Sequence, residues 1–223
     1  MTDVAIQPGR LSTRTRRPST RPPIGWYVVV VLASLIVVYA LGYVVVGSRM
    51  YTPGLAASFL ARPWGIYPHA LFGALALGIG PAQFHRGVLR RRRTFHRQLG
   101  TLYVASCLIV GVAGLYMSVY SFGGWITHVG FGALAVSLIV TTLRAYTAAR
   151  ARDIATHRQW ILRSYALIFA AVTLRIELPL LVVAFGAFLP AYQVVAWLCW
   201  VPNALWAEWY LRRTVGRPLP SFA

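Results

Sequence analysis

Six stretches of this 223-residue chain carry the apolar length, about 20 residues each, that a helix needs to cross a hydrocarbon layer of about 30 Å. They run from Ile24 to Val46, Ile66 to Phe84, Leu99 to Tyr120, Trp125 to Tyr146, Trp160 to Phe185 and Ala191 to Leu211. No other feature constrains the fold so strongly, because in lipid every backbone N–H and C=O must be paired within the protein. Composition agrees: 58% of residues are hydrophobic, 12% are charged and the mean hydropathy is +0.61. Soluble domains carry about a quarter charged residues. The expectation is an all-α, polytopic bundle of six transmembrane helices, with the lipid bilayer as its solvent.

The charge fixes a direction. All 22 basic residues are Arg, set against four acidic ones, and the net charge of +18 would suggest nucleic acid in a soluble domain. Here the arginines sort by side instead. Arg10, Arg14, Arg16, Arg17 and Arg21 precede the first span, Arg86, Arg90 to Arg93 and Arg97 separate the second from the third, and Arg150, Arg152 and Arg158 separate the fourth from the fifth. Arg212, Arg213 and Arg217 follow the sixth, while the opposite loops hold only Arg49 and Arg62. Arginine resists translocation, so both termini and the Arg-rich loops are expected in the cytoplasm of a bacterial-type cell membrane, and no nucleic-acid partner is implied. Residues 1–23 read as a disordered Arg-rich tail, 24–211 as the membrane domain and 212–223 as a second cytoplasmic tail. The first span is too long for a secretory apolar region of about 7–15 residues and reads as a retained anchor. Cys107 and Cys199 fall inside spans, form no Cys-x-x-Cys pair and read as packing residues.

Within that topology the histidines take a pattern. His-Arg-Gln occurs twice, in "FHRQLG" and "THRQWILRSYAL", which places His96 and His157 at the cytoplasmic starts of the third and fifth spans. His69 in "YPHALFG" and His128 in "THVGFG" occupy the corresponding starts of the second and fourth spans on the outer side. A helix start disfavours imidazolium, and a neutral ring can ligate haem iron. His96 with His157 would form an inner pair and His69 with His128 an outer pair. Arg97, Arg158, Arg163 and the Arg90 to Arg93 run would meet haem propionates. Gly73, Gly100 and Gly132 follow three of the four histidines at i+4, one turn along the same face, where a flat macrocycle needs room. The competing reading makes these histidines interfacial anchors bound to backbone or lipid phosphate. His85, at the other end of the second span, reads as interfacial.

Arg175 and Glu177 in "TLRIELP" lie deep in the fifth span, where charge is costly. Eighteen residues after His157, or five turns at about 3.6 residues each, Arg175 shares a face with His157, Ser164 and Ile168. Glu177, two residues on, points elsewhere. Arg175 therefore reads as a propionate contact, a quinone-site residue, part of a polar pathway, or half of a structural ion pair between helices. Glu208 and Arg212 read as an i,i+4 surface pair. Trp26, Trp64, Trp125, Trp160, Trp206 and Trp209 lie near span ends, as interfacial aromatic belts require. No dinucleotide fingerprint, Walker loop, nucleophile elbow or HExxH motif is present, so no soluble catalytic template applies.

The stretches "HRQLGTLYV", "HRQWILRSYALIFAAVTLR" and "WLCWVPNALWAEW" resemble the signature blocks of a bacterial integral-membrane family catalogued as domain of unknown function 2306. The likeness extends from about Pro68 to Tyr210 and implies a membrane fold; His69, His96, His157, Arg163 and Arg175 fall on its motif positions, whereas His128 and Glu177 do not. Separately, one histidine on each of four successive helices is similar in placement to the cytochrome b561 group. That likeness implies haem b and electron transfer across the bilayer to a quinone or another redox partner. Two functions follow as expectations: a b-type haem electron carrier, or a non-redox bundle acting as a small transporter or as the scaffold of a membrane complex.

Overall fold

The computed structural model describes residues 24–50, 53–84 and 93–214, and within them it contains helices and turns and no strand. His85, Arg86, Arg90 to Arg92, the tail 1–23 and residues 215–223 lie outside the described residues. We number the helices α1 (Ile24–Val45), α2 (Pro53–Leu60), α3 (Pro63–Phe84), α4 (Arg93–Val119), α5 (Trp125–Arg150), α6 (Ile154–Ile168), α7 (Ala170–Phe185), α8 (Phe188–Leu198) and α9 (Val201–Thr214), with a 3-10 turn at Gly47–Met50.

Among the described residues four helical stretches are long and apolar enough to cross a membrane: α1, α4, α5 and the combined α6–α7, Ile154–Phe185. The other two expected spans differ for identifiable reasons. The α3 helix has the length, at 22 residues, but Pro68, His69, Pro81 and Gln83 dilute its apolar character. The sixth is divided into α8 and α9 around Cys199 and Trp200, where Pro202 has no N–H to give the Leu198 carbonyl one turn back. The fifth is interrupted only at Phe169, whose helical φ and ψ and i+3 bond to Val172 carry the axis through. Two features were not read from the sequence: α2, a short helix that begins on Pro53, and the extension of α9 through Arg212 and Arg213 to Thr214. Proline at a first helical position lacks only an N–H that would be unpaired anyway.

Helices adjacent in sequence pack side by side. α3 lies between α1 and α4, α5 contacts α4, α6 and α8, α7 packs on α8, and α6 meets α9. Val28, Val31, Leu35, Val38, Val112, Val136 and Val183 all point away from the core, as a lipid-facing surface requires. Trp64 and Trp125, 88% and 74% exposed, stand at the starts of α3 and α5, at one end of the bundle. At the other end, Trp160 lies between the guanidinium groups of Arg144 and Arg163, at 4.9 and 4.6 Å.

The half of the bundle nearer this second, Arg-bearing end is densely filled. Tyr103, Leu77, Cys107, Leu138, Tyr165 and Leu167 form its core. Ser164 joins three helices there: its Oγ lies 3.0 Å from the Tyr103 hydroxyl of α4 and 2.8 Å from the Thr142 hydroxyl of α5. Pro81 leaves the Leu77 carbonyl without its helical donor, and the Tyr165 hydroxyl takes that carbonyl from α6 at 3.3 Å. Tyr165 fits only because residue 80 is glycine, since a Cβ there would fall 1.9 Å from the tyrosine ring. The short "GPAQF" stretch thus builds both the notch and the acceptor for one side chain. Asp153 caps α6 by accepting from the Thr156 N–H at 3.0 Å, and these bonds to Thr156 hold its carboxyl below the usual carboxylate range.

Candidate functional site

The opposite half of the bundle encloses a cavity of about 340 Å³. Its walls come from α1 to α8, and they are mainly apolar, including Phe59, Phe131, Leu134, Leu138, Ile168 and Leu174. Two nitrogenous side chains interrupt this surface, Arg175 from α7 and His69 from α3. Gly73 and Gly114 make the space, the latter because a Cβ there would lie 3.5 Å from His69 Nδ1. His69 sits deep in the protein yet keeps accessible surface, because that surface faces the cavity.

Arg175 is the unusual member. Its Nη1 donates to the Ala171 carbonyl of its own helix at 2.8 Å, its guanidinium carbon lies 5.3 Å from the centre of the Tyr39 ring, and its buried Nε has no acceptor. Tyr39 and Tyr43, whose hydroxyls are 3.3 Å apart, line the same wall. Among the described residues no carboxylate forms an ion pair with Arg175. The chain has four acidic residues, of which Asp3 lies outside the described residues, Asp153 caps α6, Glu208 pairs with Arg163, and Glu177 stands two positions along α7. The structural ion pair expected for Arg175 is thus not formed among the described residues; a carbonyl and an aromatic face take its place.

The other candidate residues separate into groups. His96 and His157 come close enough for their charges to interact. His157 Nδ1 donates to the Ala145 carbonyl at 2.9 Å, which orients the ring, while the buried Nδ1 of His96 has no partner. Arg97 and Arg158 are exposed at that end. Arg163 is already engaged: it forms a two-pronged pair with Glu208, through Nε and through Nη2 at 3.0 Å. This corrects the expected Glu208–Arg212 pair: the carboxylate takes both prongs of a guanidinium from the neighbouring helix, and Arg212, one turn along, forms no salt bridge with it among the described residues. His128 Nε2 donates to the Ser121 carbonyl at 2.9 Å, closing the loop that leads into α5, and His128 is not among the residues lining the cavity. Of the three glycines offset from histidines, only Gly73 opens onto the cavity. Gly100 lets α4 approach Gln83, and Gly132 lets α5 approach Ser118.

Tyr39 and Tyr43 were missed as site residues. They lie four apart on α1, one face of a helix that reads as a simple anchor, and only the fold shows that this face meets Arg175.

An all-helical bundle with several membrane-length helices and an internal cavity defines a multi-pass helical membrane protein. The chain belongs to the family of predicted membrane proteins designated DUF2306, whose model matches residues 66–211. No curated protein and no solved structure matches the chain. The matched region starts within α3, so α1 and α2 contribute Tyr39, Tyr43, Leu55, Ser58 and Phe59 to the cavity from outside it.

Proposed function

We propose that the protein is a six-span carrier of a small solute in a bacterial-type cytoplasmic membrane, with both termini and the Arg-rich loops on the cytoplasmic side. The observation that carries this reading is the cavity of about 340 Å³ around Arg175, a size within the common range of small-molecule sites, about 300–1,000 Å³. A carrier needs a site deep in the bundle that is open to one side while the other is sealed. The layer of Tyr103, Thr142 and Ser164 would supply such a seal, and the Arg distribution supports reading that end as the cytoplasmic one. The cavity then belongs to the outer half. A test is to load reconstituted vesicles with a defined mixture of organic acids, amines and sugars and follow each solute by mass spectrometry. Wild-type protein should release a subset that Gly73→Leu, which fills the cavity, retains. Equal release from both would sink the carrier reading.

A second reading, a b-type haem electron carrier, has one observation in its favour: His96 approaches His157, and the bond to Ala145 leaves the second nitrogen of His157 to face away from its own anchor. Haem would supply one-electron chemistry there, with quinone or another redox partner as acceptor. His96 and His157 would ligate it, and Arg97 and Arg158 would meet its propionates, Arg163 being committed to Glu208. One haem fits this arrangement better than two, since His69 faces the cavity and His128 holds Ser121. Reduced-minus-oxidised spectra of purified protein test it. An α-band that His157→Ala removes would support the reading; a featureless spectrum after expression with ample haem would end it.

A further inference from the structure

We propose that the cavity binds a small organic monoanion, a single carboxylate on an apolar body, with Arg175 as its counter-charge. The proposal rests on reading the cavity as a solute site and adds the class of solute. A cation away from water is stable only when paired or well hydrogen-bonded, and a buried unpaired charge costs several kcal/mol. Among the described residues Arg175 meets neither condition: only Nη1 has an acceptor, Asp153 and Glu208 are engaged elsewhere, and Glu177, whose buried Oε2 has no hydrogen-bond partner, forms no ion pair with it. A carboxylate in the cavity would supply both the charge and the acceptors, and the planar guanidinium is the side chain whose geometry suits it best.

The charge of the ligand follows from counting. One uncompensated guanidinium balances one negative charge, so a phosphate or dicarboxylate would carry surplus charge into an apolar enclosure. His69 and the hydroxyls of Tyr39 and Tyr43 can donate hydrogen bonds to the same headgroup without adding fixed charge. The remaining walls, with Phe59, Phe131, Leu134, Leu138 and Ile168, call for an apolar body. The cavity volume of about 340 Å³ holds a compact one. A second cation stands next to the lining residue Ser58: Arg62 donates to the Ser58 carbonyl at 3.3 Å and lies 4.0 Å over the Tyr120 ring.

The experiment measures thermal unfolding of the purified full chain in neutral detergent with a ladder of ligands: butanoate, hexanoate, octanoate, palmitate and benzoate, each beside its amide, together with inorganic phosphate. Ligand that binds only the folded state raises the midpoint with the logarithm of its concentration once that exceeds Kd. Carboxylates should show this rise and their amides should not. Arg175→Gln should weaken binding by about tenfold or more, one charge-assisted bond's worth, and Arg175→Lys should restore part of it. The ladder separates a water-borne acid, with an optimum at short or aromatic bodies, from a membrane-borne fatty acid, with an optimum at long ones. If amides bind as well as carboxylates and Gly73→Leu abolishes both, the monoanion is wrong while the cavity remains a solute site. If carboxylates bind equally to wild type, Arg175→Gln and Gly73→Leu, or if nothing on the ladder binds, the assignment to this cavity is overturned.

Discussion

Ser164 and Arg175 stand on one face of the same long helical span, about three turns apart, and meet opposite surroundings. Ser164 is fully enclosed and bonded to hydroxyls from two neighbouring helices. Arg175, a far larger and fully charged group, has a single carbonyl from its own helix and an open volume beside it. If polar groups in this bundle served only to join helices, the stronger group would hold the richer network. The reverse arrangement separates the two halves by purpose: one half uses small polar groups to lock α4, α5 and α6 together, and the other withholds partners from a cation and leaves space in front of it.

The comparison breaks most visibly if the packed half is disturbed. In Gly80→Val the new Cβ would meet the Tyr165 ring at 1.9 Å, and that ring also packs edge-on against Phe84 of α3, with ring centres 5.6 Å apart. Overpacking of this kind costs about 1–3 kcal/mol and more where nothing can yield. We expect loss of monodisperse protein or a drop of several degrees in the unfolding midpoint, read by fluorescence-detected size exclusion; an unchanged midpoint would contradict this α3–α6 contact. Tyr165→Phe is the next step down. It strands the Leu77 carbonyl, at about 1–3 kcal/mol for an unmet buried acceptor. The sharper form is a cycle with Pro81→Ala, which returns an N–H to that carbonyl: the Tyr165→Phe penalty should shrink in the Pro81→Ala background, and simple additivity would show that the two residues do not share the acceptor. Smaller again is Ser164→Ala, since hydrogen bonds between membrane helices average about 0.6 kcal/mol each. Two such bonds predict a fall of a few degrees at most.

The spans were legible in the sequence, the packed layer around Tyr103 and Tyr165 was not, and the cavity was legible only in outline. Apolar run length gave α1, α4, α5 and the α6–α7 span, because burying the backbone in lipid leaves helices as the only local solution. Residue separation along one helix put Ser164, Ile168 and Arg175 on an inward face, and the structure keeps them there. Contacts between helices were not legible. Nothing in the spacing of Glu208 and Arg212 reveals that Arg163, far away in sequence, competes for the same carboxylate. The glycines after His96 and His128 suit a cofactor or close packing by spacing alone, and the fold adds that Gln83 and Ser118 are their neighbours at ordinary contact distance. The four histidines looked alike because each begins a helix, yet their ring partners are set by tertiary neighbours: Ala145, Ser121, the cavity, or none.

The smallest expected change in stability is also the one that separates the two halves most cleanly. Arg175→Met keeps much of the side-chain volume and removes the charge. Were Arg175 a structural tie like Ser164, the substitution would lower the unfolding midpoint, because the bond to Ala171 and the contact with Tyr39 would be lost with no return. An unneutralised cation with an orphaned Nε instead costs stability in the empty protein, and replacing a buried charge by an apolar side chain of similar size is often neutral or stabilising. We therefore expect an unchanged or higher midpoint for Arg175→Met without ligand, together with loss of the carboxylate-dependent rise seen in wild type. Residues kept for function at the expense of stability behave in this way. A midpoint that falls as far as it does in Ser164→Ala, with the carboxylate effect intact, would return Arg175 to the packing scheme of the other half and leave the cavity without its charge.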